Sequence, residues 1–283
     1  MVDSSLSFEQ RVAELEKITA IVRRKIVDMV YKAQSGHIGG ALSASEIVTA
    51  LYFGVLNIKT SDPRWQDRDR FVLSKGHACP VWYSNLALRG FFDEAELDTL
   101  RQFESILQGH PVMNKTPGVD MTTGSLGQGL SFGLGMALEA RMINSPANVW
   151  VVLGDGEIQE GQVWEAAGAA AAFNLENLVA IVDDNGLQMD GYTRDIYPHY
   201  NIAAKFQAFG WETIEIDGHD MSKVLSALEK ARDMKVGKPV CIVAKTVKGK
   251  GVSFMEDVRV WHGKAPNEEE YKKAMAELQG EVE

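Results

Sequence analysis

The sequence predicts an α/β fold: an open, mostly parallel sheet covered by helices on both faces. Three observations carry that expectation. Apolar, strand-like runs recur at 70–73, 149–153, 178–182, 211–216 and 240–244. Most are separated by helix-length segments, and strands alternating with helices make a parallel, doubly covered sheet. Nearly every run also ends in polar chemistry: Ser74-Lys75-Gly76-His77, Gly154-Asp155-Gly156, Asp183-Asp184-Asn185, Asp217-Gly218-His219 and Lys245-Thr246. In such sheets ligands gather beyond the carboxyl ends of the strands, so one rim is expected to carry them.

The elements follow in order. Residues 7–34 read as an amphipathic helix, with Ser7 and Gln10 as a capping box and Val12, Leu15, Ile18, Val22, Ile26 and Met29 on one stripe. A second helix is expected over 44–56, and Asp93-Glu94-Ala95-Glu96 caps a third that runs to about Phe103. A fourth, over 127–142, is rich in glycine, which implies close packing. Helices at 160–173 and 221–234 separate the later strands, with Asp220 as an N-cap, and a charged helix at 267–280 closes the chain at its periphery. No internal repeat, low-complexity stretch or composition break marks a second domain, so residues 1–283 are expected to form one domain.

At 283 residues and 45% hydrophobic content, the chain can bury a full α/β core. A formal charge of -10 with dispersed lysines argues against a nucleic-acid partner, which calls for a basic stripe. Cys79 and Cys241 form no motif, sit beside apolar residues, and fit buried free thiols in a reducing cytosol. The start of the chain lacks a basic, apolar leader and no stretch reaches bilayer length. A cytoplasmic protein without membrane contact is expected.

Gly154-Asp155-Gly156 closes one strand and Asn185 follows the next. Asp155 and Asn185 offer hard oxygens suited to Mg²⁺ or Ca²⁺, while Gly154 and Gly156 let the backbone approach a phosphate. Gly-Asp-Gly alone is weak, since it is common in turns; the strand before it and the helix after it give it weight. Five histidines touch a glycine: His37, His77, His110, His219 and His262. A lone histidine is more often structural than functional, but five on loops raise the odds. None has zinc-site spacing, so hydrogen bonding to substrate oxygens and proton shuttling fit better. His219, beside Asp220, has the likelier structural role, and His199 has no supporting context.

Other strings compete with plain readings. Gly127-x-Gly129-x-x-x-Gly133 mimics a dinucleotide fingerprint, yet no apolar strand precedes it, which ranks an NAD(P)-dependent oxidoreductase low. Lys248-Gly249-Lys250-Gly251 lacks P-loop spacing. Thr122 through Gly127 makes a better anion site, leading into a helix N-terminus, although a glycine-rich turn is the commoner origin of such a string. Glu160 and Glu165 open a helix, where glutamates usually oppose the dipole. The six tryptophans show no base-stacking arrangement and are read as packing residues.

Taken together these residues resemble the transketolases, which use thiamine diphosphate and a divalent metal. The likeness runs from Ser35-Gly36-His37 through Phe71-Val72-Leu73-Ser74-Lys75-Gly76-His77, Gly109-His110-Pro111 and Thr123-Gly124-Ser125-Leu126-Gly127-Gln128-Gly129. It continues through Gly154-Asp155-Gly156 with Asp184-Asn185 to Trp261-His262-Gly263, in the family's order. Ile38-Gly39 replaces the His-Pro-Gly pattern of full-length members, and Ser125 stands where proline is common. Neither change removes a polar ligand.

The resemblance implies that Asp155, Asn185 and the Leu187 carbonyl hold Mg²⁺ (or Ca²⁺ or Mn²⁺). It implies that His37, His77, His110 and His262 line the thiazolium and diphosphate side and handle substrate oxygens, with His77 and His262 also touching the cofactor. Gly124, Ser125, Leu126, Gly156 and Glu157 would contact thiamine diphosphate, and Glu160 and Glu165 are similar to carboxylates that link the two cofactors of a dimer. Full-length members continue into pyrimidine-binding and C-terminal domains, whereas this chain ends at Glu283. It therefore resembles the N-terminal subunit of a split transketolase. The cofactor works through a carbanion at its thiazolium carbon, and the family's glutamate that triggers its formation has no match here. The expected enzyme is an α₂β₂ assembly with a C-terminal subunit carrying the pyrimidine-binding domain. It would move a two-carbon ketol unit between sugar phosphates, as in the pentose phosphate pathway. Half of a deoxyxylulose phosphate synthase-like enzyme, a transketolase-like enzyme for an unusual sugar, and a non-catalytic subunit are the alternatives.

Overall fold

The computed structural model describes residues 2–280. Helix α1 (Phe8–Ala33) starts at the expected capping box: Ser7 Oγ accepts from Gln10 N at 3.2 Å, and Gln10 Oε1 accepts from Ser7 N at 2.9 Å. The second helix differs from expectation. It begins earlier, as α2 (Ile38–Ser43) and α3 (Ser45–Ala50), and ends in a π-helical turn, Leu51–Val55. Gly39 serves packing there, since a Cβ on it would lie 2.8 Å from the Trp261 carbonyl oxygen.

Strand β1 (Arg70–Leu73) leads through a 3₁₀ turn, Gly76–Ala78, into α4 (Cys79–Leu88), which was not anticipated. All but its last residue are buried, so it has no polar face and leaves no periodic stripe. The third expected helix shrinks to a 3₁₀ segment, Glu94–Thr99, capped by Asp93. Arg101 then takes φ 64°, which the right-handed helix forbids. The fourth, α5 (Gly129–Met142), starts two positions later than expected, because Gly127 sits at φ 82°.

The remaining elements are β2 (Val149–Gly154), α6 (Gly161–Ala172), β3 (Leu178–Asp184), the short α7 (Thr193–Ile196) and α8 (Ile202–Ala208), and β4 (Glu212–Asp217). Then come α9 (Met221–Asp233), β5 (Val240–Lys245) and α10 (Glu268–Gln279). Asp220 caps α9 by accepting from the Ser222 and Lys223 amides. Tyr271 of α10 stacks on Tyr31 of α1 with ring centroids 4.0 Å apart, and Ala274 and Leu278 are fully buried.

All five strands are parallel, in the order β1-β2-β3-β5-β4. The two-residue alternation of a strand divides the core between the faces. Phe71, Trp150, Ile181 and Ile242 face α1, α4 and α9; Val72, Val151, Ala180 and Val243 face α5, α6 and α8. The chain advances across the sheet from β1 to β4 and steps back to β5. Right-handed crossovers then require α9 on the face opposite α5, α6 and α8, where it lies. Cys79 and Cys241 are buried and free, and burial pushes the Cys79 thiol up to about 12. Among the described residues no helix is long and apolar enough to cross a membrane.

Candidate active site at the carboxyl ends of the strands

The register puts Gly154, Asp183 and Ala244 level with one another, so the segments after β2, β3 and β5 leave the sheet together. Between them and the segment after β1 lies a cavity of about 360 Å³. Its floor includes Gly154, Asp155 and Gly156; Asn185 and Leu187 line one side and the imidazoles of His37, His77, His110 and His262 another.

At the floor, Asp155 is 2% exposed. Its Oδ1 accepts from Gly156 N at 2.9 Å and its Oδ2 from Gly186 N at 2.7 Å. Burial, then the neighbouring Asp183 and Asp184 carboxylates, push it up to about 7. A carboxylate so placed is short of positive charge. Asn185 Nδ2 donates to Asp183 Oδ2 at 3.1 Å, which assigns the nitrogen and leaves Oδ1, already accepting from Leu187 N, as the side that can ligate. The Leu187 carbonyl accepts from Lys248 Nζ at 2.6 Å and retains a second lone pair. A carboxylate, an amide oxygen and a carbonyl are all hard donors that fit Mg²⁺ or Ca²⁺. No group of three His, Cys, Asp or Glu side chains forms a metal cluster among the described residues, so a softer metal finds no such set here.

The phosphate-side loop is seated by Thr123, whose Oγ1 donates to the Leu73 carbonyl at 2.8 Å. Gly124 follows at φ 145°, where an added Cβ would lie 3.1 Å from His110 Cδ2, so the loop can pass only as glycine. Residues 122–127 form a turn one step removed from α5, not the direct helix entry expected.

The four histidines form one group, with ring centroids 5.1 Å apart for His37 and His77, 5.4 Å for His37 and His262, 5.3 Å for His77 and His262, and 6.3 Å for His37 and His110. Burial, followed by the Arg101 charge, pushes His37 down to about 4, and burial, followed by Lys248, pushes His262 down to about 3. His77 and His110 are lowered too, chiefly by burial. His262 Nδ1 lies 3.0 Å from Lys248 Nζ, and His37 Nδ1 lies 3.4 Å from Arg101 Nη2. Each cation can only donate, so both imidazoles are neutral at pH 7 with the proton on Nε2. They can offer N–H to a substrate oxygen.

Other candidates sit apart from this group. Leu126 lines the cavity and is 37% exposed, while Glu160 is an exposed rim residue. Ser125 and Glu165 are exposed and do not line it. Glu157 lines it, but its carboxylate is taken: Oε1 accepts from Ser74 Oγ and from Gly127 N at 2.9 Å, and Oε2 from Gly154 N at 3.0 Å. It ties three segments together. His219 is structural, as expected: Nε2 accepts from Val247 N at 2.7 Å and Nδ1 lies 3.2 Å from Glu46 Oε1. His199 is buried away from the cavity lining.

Sequence reasoning missed two cations that line the cavity, Lys75 and Lys248. Both had a signal. Each lies just past an apolar strand, where a lysine with no polar face to join is best explained by a buried anion.

Residues 15–281 match the family described as Transketolase, thiamine diphosphate binding domain. The chain is 44% identical over 273 residues to a 6-deoxy-6-sulfo-D-fructose transketolase subunit from Clostridium sp. (strain MSTE9), covering 96% of this chain and 98% of the relative. It is 41% identical over 261 residues to an apulose-4-phosphate transketolase subunit from Phocaeicola vulgatus, covering 92% of each. Among solved structures, transketolase from Leishmania mexicana superposes with TM-score 0.88 at 33% identity over 94% of this chain, which spans 41% of that longer chain.

Proposed function

The chain belongs to the transketolase family through its thiamine diphosphate-binding domain, and from that premise we propose that it is the N-terminal subunit of a split transketolase. The observation that carries this reading is a single cavity with Asp155, Asn185 and the Leu187 carbonyl at one end and four neutral-leaning histidines at the other. Residues 1–283 act in it as one diphosphate-binding domain. Asp155, Asn185 and Leu187 would hold Mg²⁺, or Ca²⁺ or Mn²⁺ in its place. Gly124, Leu126 and Gly156 would border thiamine diphosphate, with Ser125 and Glu157 acting through the loops they belong to. When bound, that cofactor supplies a nucleophilic thiazolium carbon.

The chain's own residues do the rest. Lys75 and Lys248, both buried, offset the diphosphate charge. His37 and His262 present Nε2–H toward donor-sugar oxygens, and His77 and His110 complete the wall that holds or moves a proton there. Glu160, on the cavity rim, and Glu165, exposed further along α6, would meet a second copy of the site. A C-terminal subunit with the pyrimidine-binding domain would complete it in an α₂β₂ assembly, placed in the cytoplasm and in pentose phosphate-type sugar metabolism. The reaction moves a two-carbon ketol unit from a ketose phosphate to an aldose phosphate.

A second reading has specific support. Relatives that this chain spans almost end to end are named for 6-deoxy-6-sulfo-D-fructose and apulose-4-phosphate, which favours a donor or acceptor outside the common pentose phosphates. The purified chain, assayed with thiamine diphosphate and Mg²⁺ with and without its candidate C-terminal subunit, tests the split. Activity is expected only in the mixture, and full activity of the chain alone would overturn it. Screening donors with the mixture decides between common and unusual sugars.

A further inference from the structure

Behind the proposed metal end lies Asp183, the penultimate residue of β3, with no exposed surface. Its carboxylate gathers side chains from four separate segments. Oδ2 accepts from Ser43 Oγ of α2 at 2.6 Å, from Asn185 Nδ2 at 3.1 Å and from Lys75 Nζ, while Oδ1 accepts from Thr246 Oγ1 after β5. Lys75 Nζ also donates to the Gly40 carbonyl at 2.9 Å. A buried carboxylate needs compensation, and this one has it from a lysine and three neutral donors. Ser43, Asn185 and Thr246 all depend on this carboxylate as well as Lys75, so it is the centre of a buried network and not a lone ion pair.

We propose that Asp183 is a positioning residue for the metal end: it fixes the Asn185 carboxamide with its nitrogen inward and its oxygen toward the cavity. An amide has two nearly isosteric orientations, and only the one with Oδ1 outward offers a ligand. With Asp183 as an acceptor behind it, the reversed amide would set oxygen against oxygen and leave a buried acceptor unpaired. Lys75 is held by the same carboxylate, so the cavity's deepest cation and its amide ligand share one anchor. The inference rests on the proposed metal role of Asn185, and partners behind a ligand commonly set metal affinity in this way.

The test uses the complete two-subunit complex and reads the Mg²⁺ concentration that half-saturates thiamine diphosphate binding, followed by tryptophan fluorescence. Asn185→Ala examines the underlying reading: unchanged Mg²⁺ dependence there would overturn the metal assignment itself. Given a loss there, Asp183→Ala should raise the half-saturating Mg²⁺ about 10- to 100-fold. Asp183→Asn, which can keep an oxygen toward Asn185 and give its nitrogen to Thr246, should recover most of that loss. In the Asn185→Ala background, Asp183→Ala should add little. A fully additive double variant, or an Asp183→Ala complex that is merely less heat-stable with unaltered Mg²⁺ dependence, would overturn the proposal. Should Asp183→Ala fail to fold, the unmodified chain answers the question. Its Asn185 side-chain amide protons, observed by NMR in Asn-labelled protein without metal, should exchange slowly. Rapid exchange would refute a preset orientation.

Discussion

Asp155 is a liability to the metal-free fold, and Asp155→Asn should expose this. Sequestered beside Asp183 and Asp184, its carboxyl is held up to about 7 against 3.8 for the ordinary group. The folded chain thus binds a proton that the unfolded chain has released, and stability is lost as pH rises from about 4 to about 7. Acting alone, a displacement of that size is on the order of 4 kcal/mol at pH 8. That value already includes the attraction of Lys248, itself pushed down to about 8 by burial. Against this, the amide must give up one of the two backbone donors that Asp155 accepts, from Gly156 and Gly186, at a cost of about 1 kcal/mol. The metal-free variant should be more stable than the parent by about 3 kcal/mol at pH 8, near 5 °C in Tm for a chain of this size. At pH 5 the advantage should shrink to less than about 1 kcal/mol. Differential scanning fluorimetry at the two pH values reads it, and Mg²⁺ with thiamine diphosphate should then raise the Tm of the parent complex alone. A variant that is less stable at pH 8, or a difference that does not move between pH 5 and 8, would refute the reasoning.

Further outcomes follow from the same fold. The imidazoles of His37 and His262 should show no protonation above about pH 5 by NMR, because burial and neighbouring cations hold them near 4 and 3. The unfolded chain binds those protons near 6.5, so the histidines' contribution to stability should decline as pH falls from about 6.5 to about 4. On α5, Gly133→Ala would put a Cβ 2.4 Å from Val151 Cγ2 on β2 and should lower the urea midpoint by the equivalent of about 1–3 kcal/mol. Gly135→Ala meets nothing within 4 Å on the same helix and should raise it by about 0.5–1 kcal/mol.

The strands were legible because burial on both sides makes them apolar and turn-bounded, and the ligand rim because polar residues follow each one. Helix α4 was hidden by the converse of the usual signal: buried all round, it shows no stripe. The Gly39-Gly40 pair concealed the start of α2, since a glycine needed for close approach looks the same in sequence as one that ends a helix. The histidine group was legible as loop residues but not as a cluster, because its members lie up to 225 positions apart and meet only in the folded chain. Lys75 and Lys248 were missed for a related reason. Their partners, Asp183 in one case and the Leu187 carbonyl in the other, lie in β3 and just beyond it, far in sequence from either lysine.

The chain's two cysteines are both buried and free, and burial disfavours their thiolates, the only form that reacts quickly. For labelling chemistry the folded surface is therefore blank. Tyr200, 92% exposed between α7 and α8, is a place to write on it: a Tyr200→Cys chain would carry one thiol that a maleimide reaches at neutral pH. A fluorophore there needs no background removed first. The distance from that loop to an incoming subunit could then be followed on the wild-type core, in real time.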